Sequence, residues 1–440
     1  MGYSKRILFA IFCALVIIIA WVVVLNTESI SDKQLNLIIQ AEENMRDGIY
    51  VLAIPVLEEA ISYNAVHTIR AENELKKAYL QLINQSGNRR KYLGLLDKQM
   101  NRKDAAPDVF MEAAEFHLDV SRIQDALEVL RDGIAKTRDQ GLIDFYELNR
   151  YHYEINFNVY HEVSSIFGTS IAVMSDDKWG IAEVTGTLMI PCEYDKVSTF
   201  NNNRAIVLKD GKISAINRAN NRLALLDQEK ERVTDFGNYA GGRIPLKTKE
   251  GWKRATGDFE MGATTFDDIG TYSGGYVAAK QNGKWGVIDL GSNWLIPPEH
   301  EGIVMDELGR SYGQGIVFVR TGISVVMYVD GQATDFRFDD ALPFGSEGYA
   351  AVLQNGKWGF IDNNGVIQVP HQFDDALSFG QHLAAVQYGE KWGYINLYGN
   401  LVIDAIFFNA KSFGGGSAPV LTERGWQFIT LIEFKKGVSL

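Results

Sequence analysis

Three aspartate pairs, Asp267-Asp268, Asp339-Asp340 and Asp374-Asp375, recur along this 440-residue chain. Paired carboxylates can hold calcium or share the work of a general acid and a general base. Each pair follows an aromatic residue at one phase of a repeat, whereas catalytic carboxylates converge from different elements. The spacing therefore favours turn capping. Asp362-Asn363-Asn364-Gly365 likewise reads as a tight turn ahead of a metal loop.

The seven histidines, His67, His117, His152, His161, His300, His371 and His382, include no HExxH and no i, i+4 pair, so zinc has no support. Asp235-Phe236-Gly237 copies three letters of a kinase motif with no glycine-rich loop or catalytic loop around it. Neither GxSxG nor a P-loop occurs. Cys192 follows Pro191 at a strand end and reads as a small packed residue, since a nucleophile would need a histidine partner. Glu299, Glu301, Asp306 and Glu307 sit in a unit that breaks the repeat period. They are the carboxylates an enzyme site at the mouth of the domain would use, and raised pKa values would mark it. Catalytic, cofactor and metal residues are otherwise expected to be absent.

The elements that position these residues form a repeat. After Phe157 the composition changes: 36 of 42 glycines and seven of eight tryptophans lie beyond residue 155. Trp179-Gly180, Trp252, Trp285-Gly286, Trp358-Gly359, Trp392-Gly393 and Trp426 fall at one point of a unit. Two further copies near Ile213 and Ser324 have lost the ring, and the steps between all eight are 34, 39, 33, 39, 34, 34 and 34 residues. Such a period indicates a repeat architecture. Proline follows tryptophan by twelve residues at Pro191, Pro297 and Pro370. Aromatic residues six apart come next, as Tyr194/Phe200, Phe266/Tyr272, Phe338/Phe344, Phe373/Phe379 and Phe407/Phe413.

Asn355-Gly356, Asn282-Gly283 and Asp210-Gly211 supply the positive-φ pairs of tight hairpins. Strands flanking Asn355-Gly356 are apolar on both faces, with Trp358 and Phe360 on one and Ile361 and Gly359 on the other. Sheets must stack on either side, with the glycine leaving room for a neighbouring ring. Pro370 ends a third strand, which must be an edge.

At these residues the sequence resembles the WG (KWG) β-repeat family over about residues 163–435. The resemblance implies an all-β repeat domain, common in bacterial surface or envelope proteins, with no shared catalytic centre. Short sheets stacked radially give a propeller of seven or eight blades; stacked axially they give a solenoid. Looser packing is expected at the copies near Ile213 and Ser324 and at Trp252 and Trp426, which lack parts of the motif. The repeat-phase rings are expected in the core rather than on a carbohydrate-binding rim.

Between Ser29 and about Glu154 glycine is scarce and apolar residues recur at three- and four-residue steps, so helices are expected. Ala53, Leu57, Ala60 and Ala126, Leu130, Gly133 share one spacing, small residues there letting another helix approach closely. Gly48 and Gly87 mark turns, Ser121 stands where Gly48 does in the first copy, and Pro55 falls inside a predicted helix. This segment resembles tetratricopeptide repeats, in three copies plus a closing helix around Leu142–Tyr153; an antiparallel bundle acting as a stalk is the alternative. The resemblance implies a concave protein-binding surface.

From Ile7 to Leu25 every residue is apolar; as a helix these residues span about 28 Å, near the ~30 Å of a bilayer core. Lys5 and Arg6 precede the run, whereas Glu28 and Asp32 follow it. The positive-inside bias then puts Met1 in the cytoplasm and the rest outside. Val-Val-Leu-Asn-Thr lacks the small residues of a cleavage site, so an uncleaved anchor is expected. Cys13 lies in this run, which leaves no disulfide framework.

Net charge is -12, spread over both halves, which argues against nucleic acid as a partner. The organisation expected is multidomain α + β: residues 1–27 a cytoplasmic stub and anchor, 28–155 a helical domain, 160–440 a WG-repeat β domain. The function expected is that of a membrane-anchored extracytoplasmic binding or scaffolding protein, its partner a protein or, in the alternative, a glycan or small molecule.

Overall fold

The structure is a computed structural model and describes residues 30–227 and 232–434. The apolar run at residues 7–25 and Cys13 lie outside the described residues. Among those described, no helix is long and apolar enough to cross a membrane. The chain divides into two units, residues 1–149 and 150–440.

In the first unit, α1 (residues 30–46) is followed by α2 (Tyr50–Ser62), α3 (Thr68–Gln81), α4 (Asn88–Met100), α5 (Pro107–Asp119), α6 (Ile123–Thr137) and α7 (Gln140–Asn149). Short turns join consecutive helices, so neighbours pack side by side. The small residues work as their spacing predicts. Ala53, Leu57 and Ala60 of α2 are fully buried against Ile38 and Ala41 of α1 and Leu75 of α3. A Cβ on Gly133 would come within 2.7 Å of the Phe110 ring. Gly48 and Gly87 have φ of +76° and +88°, and Ser121 adopts +58° at the corresponding turn. Helix α2 runs through Pro55 without a break.

The second unit contains eight four-stranded antiparallel sheets, blades 1 to 8, numbered along the chain from the one that opens with Glu162–Val163 to the one that contains Gly425–Leu431. Blade 6 shows the plan: Asp340–Ala341, Tyr349–Gln354, Lys357–Asp362 and Ile367–Phe373, hydrogen-bonded in that order. Asn355 and Gly356 take φ of +53° and +76° at the hairpin between the middle strands. As the two-faced pattern requires, Phe360 packs towards Phe379 and Ile395 of blade 7, and Ile361 towards Phe318 of blade 5. Loops after the first strands of blades 1, 4, 5, 6, 7 and 8 line one cavity. First strands are therefore innermost, and the fourth strands, with Pro191, Pro297 and Pro370, form the outer edges.

The ring is a closed eight-bladed propeller rather than a solenoid. Its closing strand is Tyr153–Ile155, which pairs with Gly425–Leu431 as the fourth strand of blade 8, Tyr153 opposite Leu431 and Ile155 opposite Ile429. This corrects the sequence reading twice. The closing helix ends at Asn149, not Tyr153, and residues 150–155 belong to the β unit. Blade 8 supplies only three strands of its own, and Tyr151, 8% exposed in its core, draws the preceding segment in.

Candidate functional site

Four tryptophans of the repeat face the aromatic residues that the spacing marked out. Trp358 is opposite Phe373, Trp392 opposite Phe407, Trp179 opposite Tyr194 and Trp252 opposite Phe266, while Trp285 faces His300. Trp392 and Trp426 are buried and the other four are half-buried. The glycine after tryptophan has a different cause from the one expected. A Cβ on Gly359 would lie 2.8 Å from His371 N and Val369 O, and one on Gly393 2.5 Å from Ile403 O. Gly180 and Gly286 meet Ile190 O and Ile296 O in the same way. It is the outer strand's own backbone, pressed inward at a bulge, that excludes a side chain there, not a neighbouring ring.

Copies lacking the motif are not loosely packed throughout. Trp426 is 8% exposed and Phe428 fully buried, and Gln427, in the glycine's place, donates to Asn156 O of the segment that closes the ring. The copy expected near Ser324 is centred on Val325, which pairs with Phe338 as Trp358 does with Phe373.

The aspartate pairs cap turns. Asp267, Asp339 and Asp374 each accept a backbone N–H at 2.7 Å from the next blade's hairpin, from Gly283, Asn355 and Gly389. Asp268, Asp340 and Asp375 accept the following residue's own N–H. Lys357 also reaches Asp374 at 2.5 Å, tying its blade to that junction, and with Gly389 N holds the Asp374 carboxyl below its ordinary range. Burial pushes Asp375 up.

Cys192 is half-buried, its thiol aimed at Val173 O at 3.8 Å and raised by burial above the ordinary range. His382 contacts Glu347 at 2.9 Å, and burial lowers His117 and His371. No cluster of three or more histidine, cysteine or carboxylate side chains among the described residues could hold a metal ion.

The cavity at the inner loops has a volume of about 750 Å³, within the usual range for ligand sites. Glycine lets each loop of its wall close on the next: a Cβ on Gly313 would lie 2.5 Å from Phe344 O, and Gly345 and Gly380 meet Phe379 O and Phe413 O likewise. Serines stitch the wall, with Ser412 Oγ donating to Ser378 O at 2.9 Å and Ser378 Oγ to Pro343 O at 2.7 Å.

One loop differs from the rest. Residues 304–315 of blade 5 replace the six-residue loops 377–382 and 411–416 with twelve residues, and the chain crosses the ring. Leu308, 7% exposed, packs with Phe167 of blade 1, Ala240 of blade 3 and Tyr272 of blade 4. Its carbonyl accepts from Thr271 Oγ1 at 2.6 Å and Asn238 Nδ2 at 3.2 Å. Arg310 lies over the Phe167 ring at 5.8 Å, and Glu307 pairs with Lys411 of blade 8. Sequence spacing flagged only the extra length, in the second of the long steps.

Of the four acids weighed for catalysis, only Asp306 and Glu307 line this cavity. Asp306 pairs with Arg310 at 2.7 Å and caps its own loop. Glu301 instead accepts Gly322 N at a hairpin, and Glu299 lies exposed on the outer strand of blade 4. The four do not converge.

In the helical unit, a groove of about 690 Å³ runs between α3, α4 and α5. Its base carries paired charges: Lys76 meets Glu112, and Tyr92 donates to Glu112 at 2.8 Å. Glu72 is fully buried with Lys98 at 3.0 Å and Arg102 at 2.5 Å. Burial pushes Glu72 up, but hydrogen bonds from Lys98, Gln99 and Arg102 outweigh it and hold the carboxyl below its usual range. Ile69 and Leu80 are exposed along the groove.

Together these features define an eight-bladed β-propeller with a plugged centre, preceded in the chain by a unit of helical hairpins. The model of the family "WG containing repeat" matches residues 179–212, 264–285, 333–358, 358–392 and 392–426, so five stretches of the propeller match WG-containing repeats. No protein of curated function matches the sequence. Among solved structures the chain is similar to Hsv2p of Kluyveromyces lactis at 9% identity, covering 61% of this chain and 96% of that one, with a TM-score of 0.37. The Neurospora crassa Pan2 WD40 domain gives 9%, 61%, 88% and 0.34 in the same order. YCF48 bound to D1 peptide gives 12%, 64%, 95% and 0.36. The blade pairing described above, not these likenesses, defines the fold.

Proposed function

We propose that this protein is a membrane-anchored, extracytoplasmic interaction scaffold, held by residues 7–25, whose propeller binds a protein partner at the plugged cavity. The observation that carries the reading is the cavity itself: six blades contribute loops of small and glycine residues to one bowl of about 750 Å³. Its floor is fixed by Leu308 and by the Glu307–Lys411 pair. A bowl lined by serines, apolar side chains and paired charges suits recognition of a protruding peptide loop. The helical groove offers a second surface to the same or another partner.

A photo-crosslinking residue at Gln314 or Ser346, on the cavity wall, should give discrete protein adducts in native membranes. The same residue at Asp210, on a hairpin tip, should not. Adducts no different at the three positions would sink the reading. For the anchor, alkaline extraction should leave the protein in the membrane pellet, and protease added from outside should degrade the propeller of intact cells or spheroplasts. Release into the supernatant would refute anchoring.

A further inference from the structure

We propose that the outer edge of blade 7, strand Leu401–Phe407, docks an extended segment of a partner protein that carries a basic residue between apolar ones. This strand is last in its sheet and pairs only with Lys391–Asn396. Backbone groups on its other side are a template for an added strand, although the register with Lys391–Asn396 shifts on either side of Ile403. Blades 1, 4 and 6 close the same edge with proline. Pro191, Pro297 and Pro370 are the fourth of seven residues in their strands, exposed and without an N–H to offer.

Blade 7 has Asp404 at that position, equally exposed. Blade 5 also lacks the proline, but Asp335 and Arg337 put charges of both signs along its edge; the blade 2 edge is only four residues long, and the blade 3 edge, Met261–Phe266, exposes only Gly262, Ala263 and Thr264. On blade 7 the exposed side chains along this edge are apolar: Leu401, Ile406 and Phe408 are 41%, 55% and 47% exposed, with the Lys391 ammonium over the Phe408 ring at 3.2 Å. An incoming strand would complete the ladder and cover these side chains.

Charge selects the occupant. Asp404 makes no hydrogen bond or ion pair among the described residues, and its carboxylate acts electrostatically on the Tyr153 hydroxyl. Lysine or arginine on the added strand would meet it. A second copy of the chain is disfavoured, because antiparallel self-pairing of Leu401 with Phe407 sets Asp404 against Asp404, and like charges directly opposite destabilise a strand pair.

The test uses the full chain and two fluorescein-labelled peptides, Thr-Val-Thr-Val-Lys-Val-Thr-Val-Thr and the same peptide with Glu at its centre, read by fluorescence anisotropy. The Lys-centred peptide should bind at least about tenfold more tightly than the Glu-centred one. Asp404→Pro, which installs the residue three sister blades carry, should lose that binding by about tenfold or more, and Asp404→Lys should reverse the preference. Failure of the Lys-centred peptide to bind, equal binding of both, or unchanged binding by Asp404→Pro overturns the proposal. So does a wild-type dimer, seen by sedimentation, that Asp404→Pro converts to monomer, since the edge would then belong to a second copy.

Discussion

Glu307 and Lys411 are 104 positions apart in the chain and form an ion pair at the inner loops, joining blade 5 to blade 8. Both are accessible enough, at 41% and 17% side-chain exposure, for water to screen the pair. Leu308 beside it is buried among three other blades. The plug therefore holds by packing more than by charge.

Glu307→Gln should cost about 0–1 kcal/mol, whereas Leu308→Ala should cost about 2–5 kcal/mol. Urea unfolding of the two variants checks this. Equal midpoints would mean that the loop rests over the ring without bracing it.

Closure by Tyr153–Ile155 makes the ring depend on residues far from its last repeat. A chain beginning at residue 160 leaves Gly425–Leu431 as an open edge and removes Tyr151 from the blade 8 core. Calorimetry should show a lower and broader transition for the propeller. An unchanged transition would show that seven blades and three strands hold the ring unaided.

Two neighbouring glycines should respond to alanine for different reasons. At Gly359 the added methyl would lie 2.8 Å from backbone atoms of the outer strand, and such overpacking costs about 1–3 kcal/mol. At Gly356 there is open space but φ is +76°, a backbone penalty of about 1–2 kcal/mol. Melting of the two single variants checks this; a Gly359→Ala variant that melts with the wild type would mean that the outer strand yields to the methyl without cost.

Tyr160 is buried, donates to Gly186 O at 2.8 Å, and its hydroxyl is pushed up to about 12, chiefly by burial and further by Cys192. The unfolded chain loses this proton near pH 10 while the folded one retains it. Stability should therefore fall as pH rises from about 10 towards 12. Tyr160→Phe should flatten that part of the profile at little cost near neutrality, since Asn158 also donates to Gly186 O. A variant whose alkaline slope matches the wild type would refute the assignment.

Residue spacing by itself determined the repeat, its hairpins, its proline edges and the capping role of the aspartates, because each follows from forces acting within one unit or between units adjacent in the chain. Asn355-Gly356 needs only its own φ angles, Pro370 only its missing N–H, and Asp374 only the nearest unpaired amide. Small residues at Ala53, Leu57 and Ala60 likewise announced a buried helix face. What the tertiary structure decided was everything that joins distant units. Tyr153–Ile155 is three residues long, too short to carry a strand period, and becomes a strand only because blade 8 presents an edge that a closed ring brings beside it. Glycine after tryptophan looked like space for a ring and proved to be space for a bulged backbone. Loop 304–315 showed as surplus length, yet its course was set by contacts with blades 1, 3, 4 and 8, which lie together only once the ring is closed.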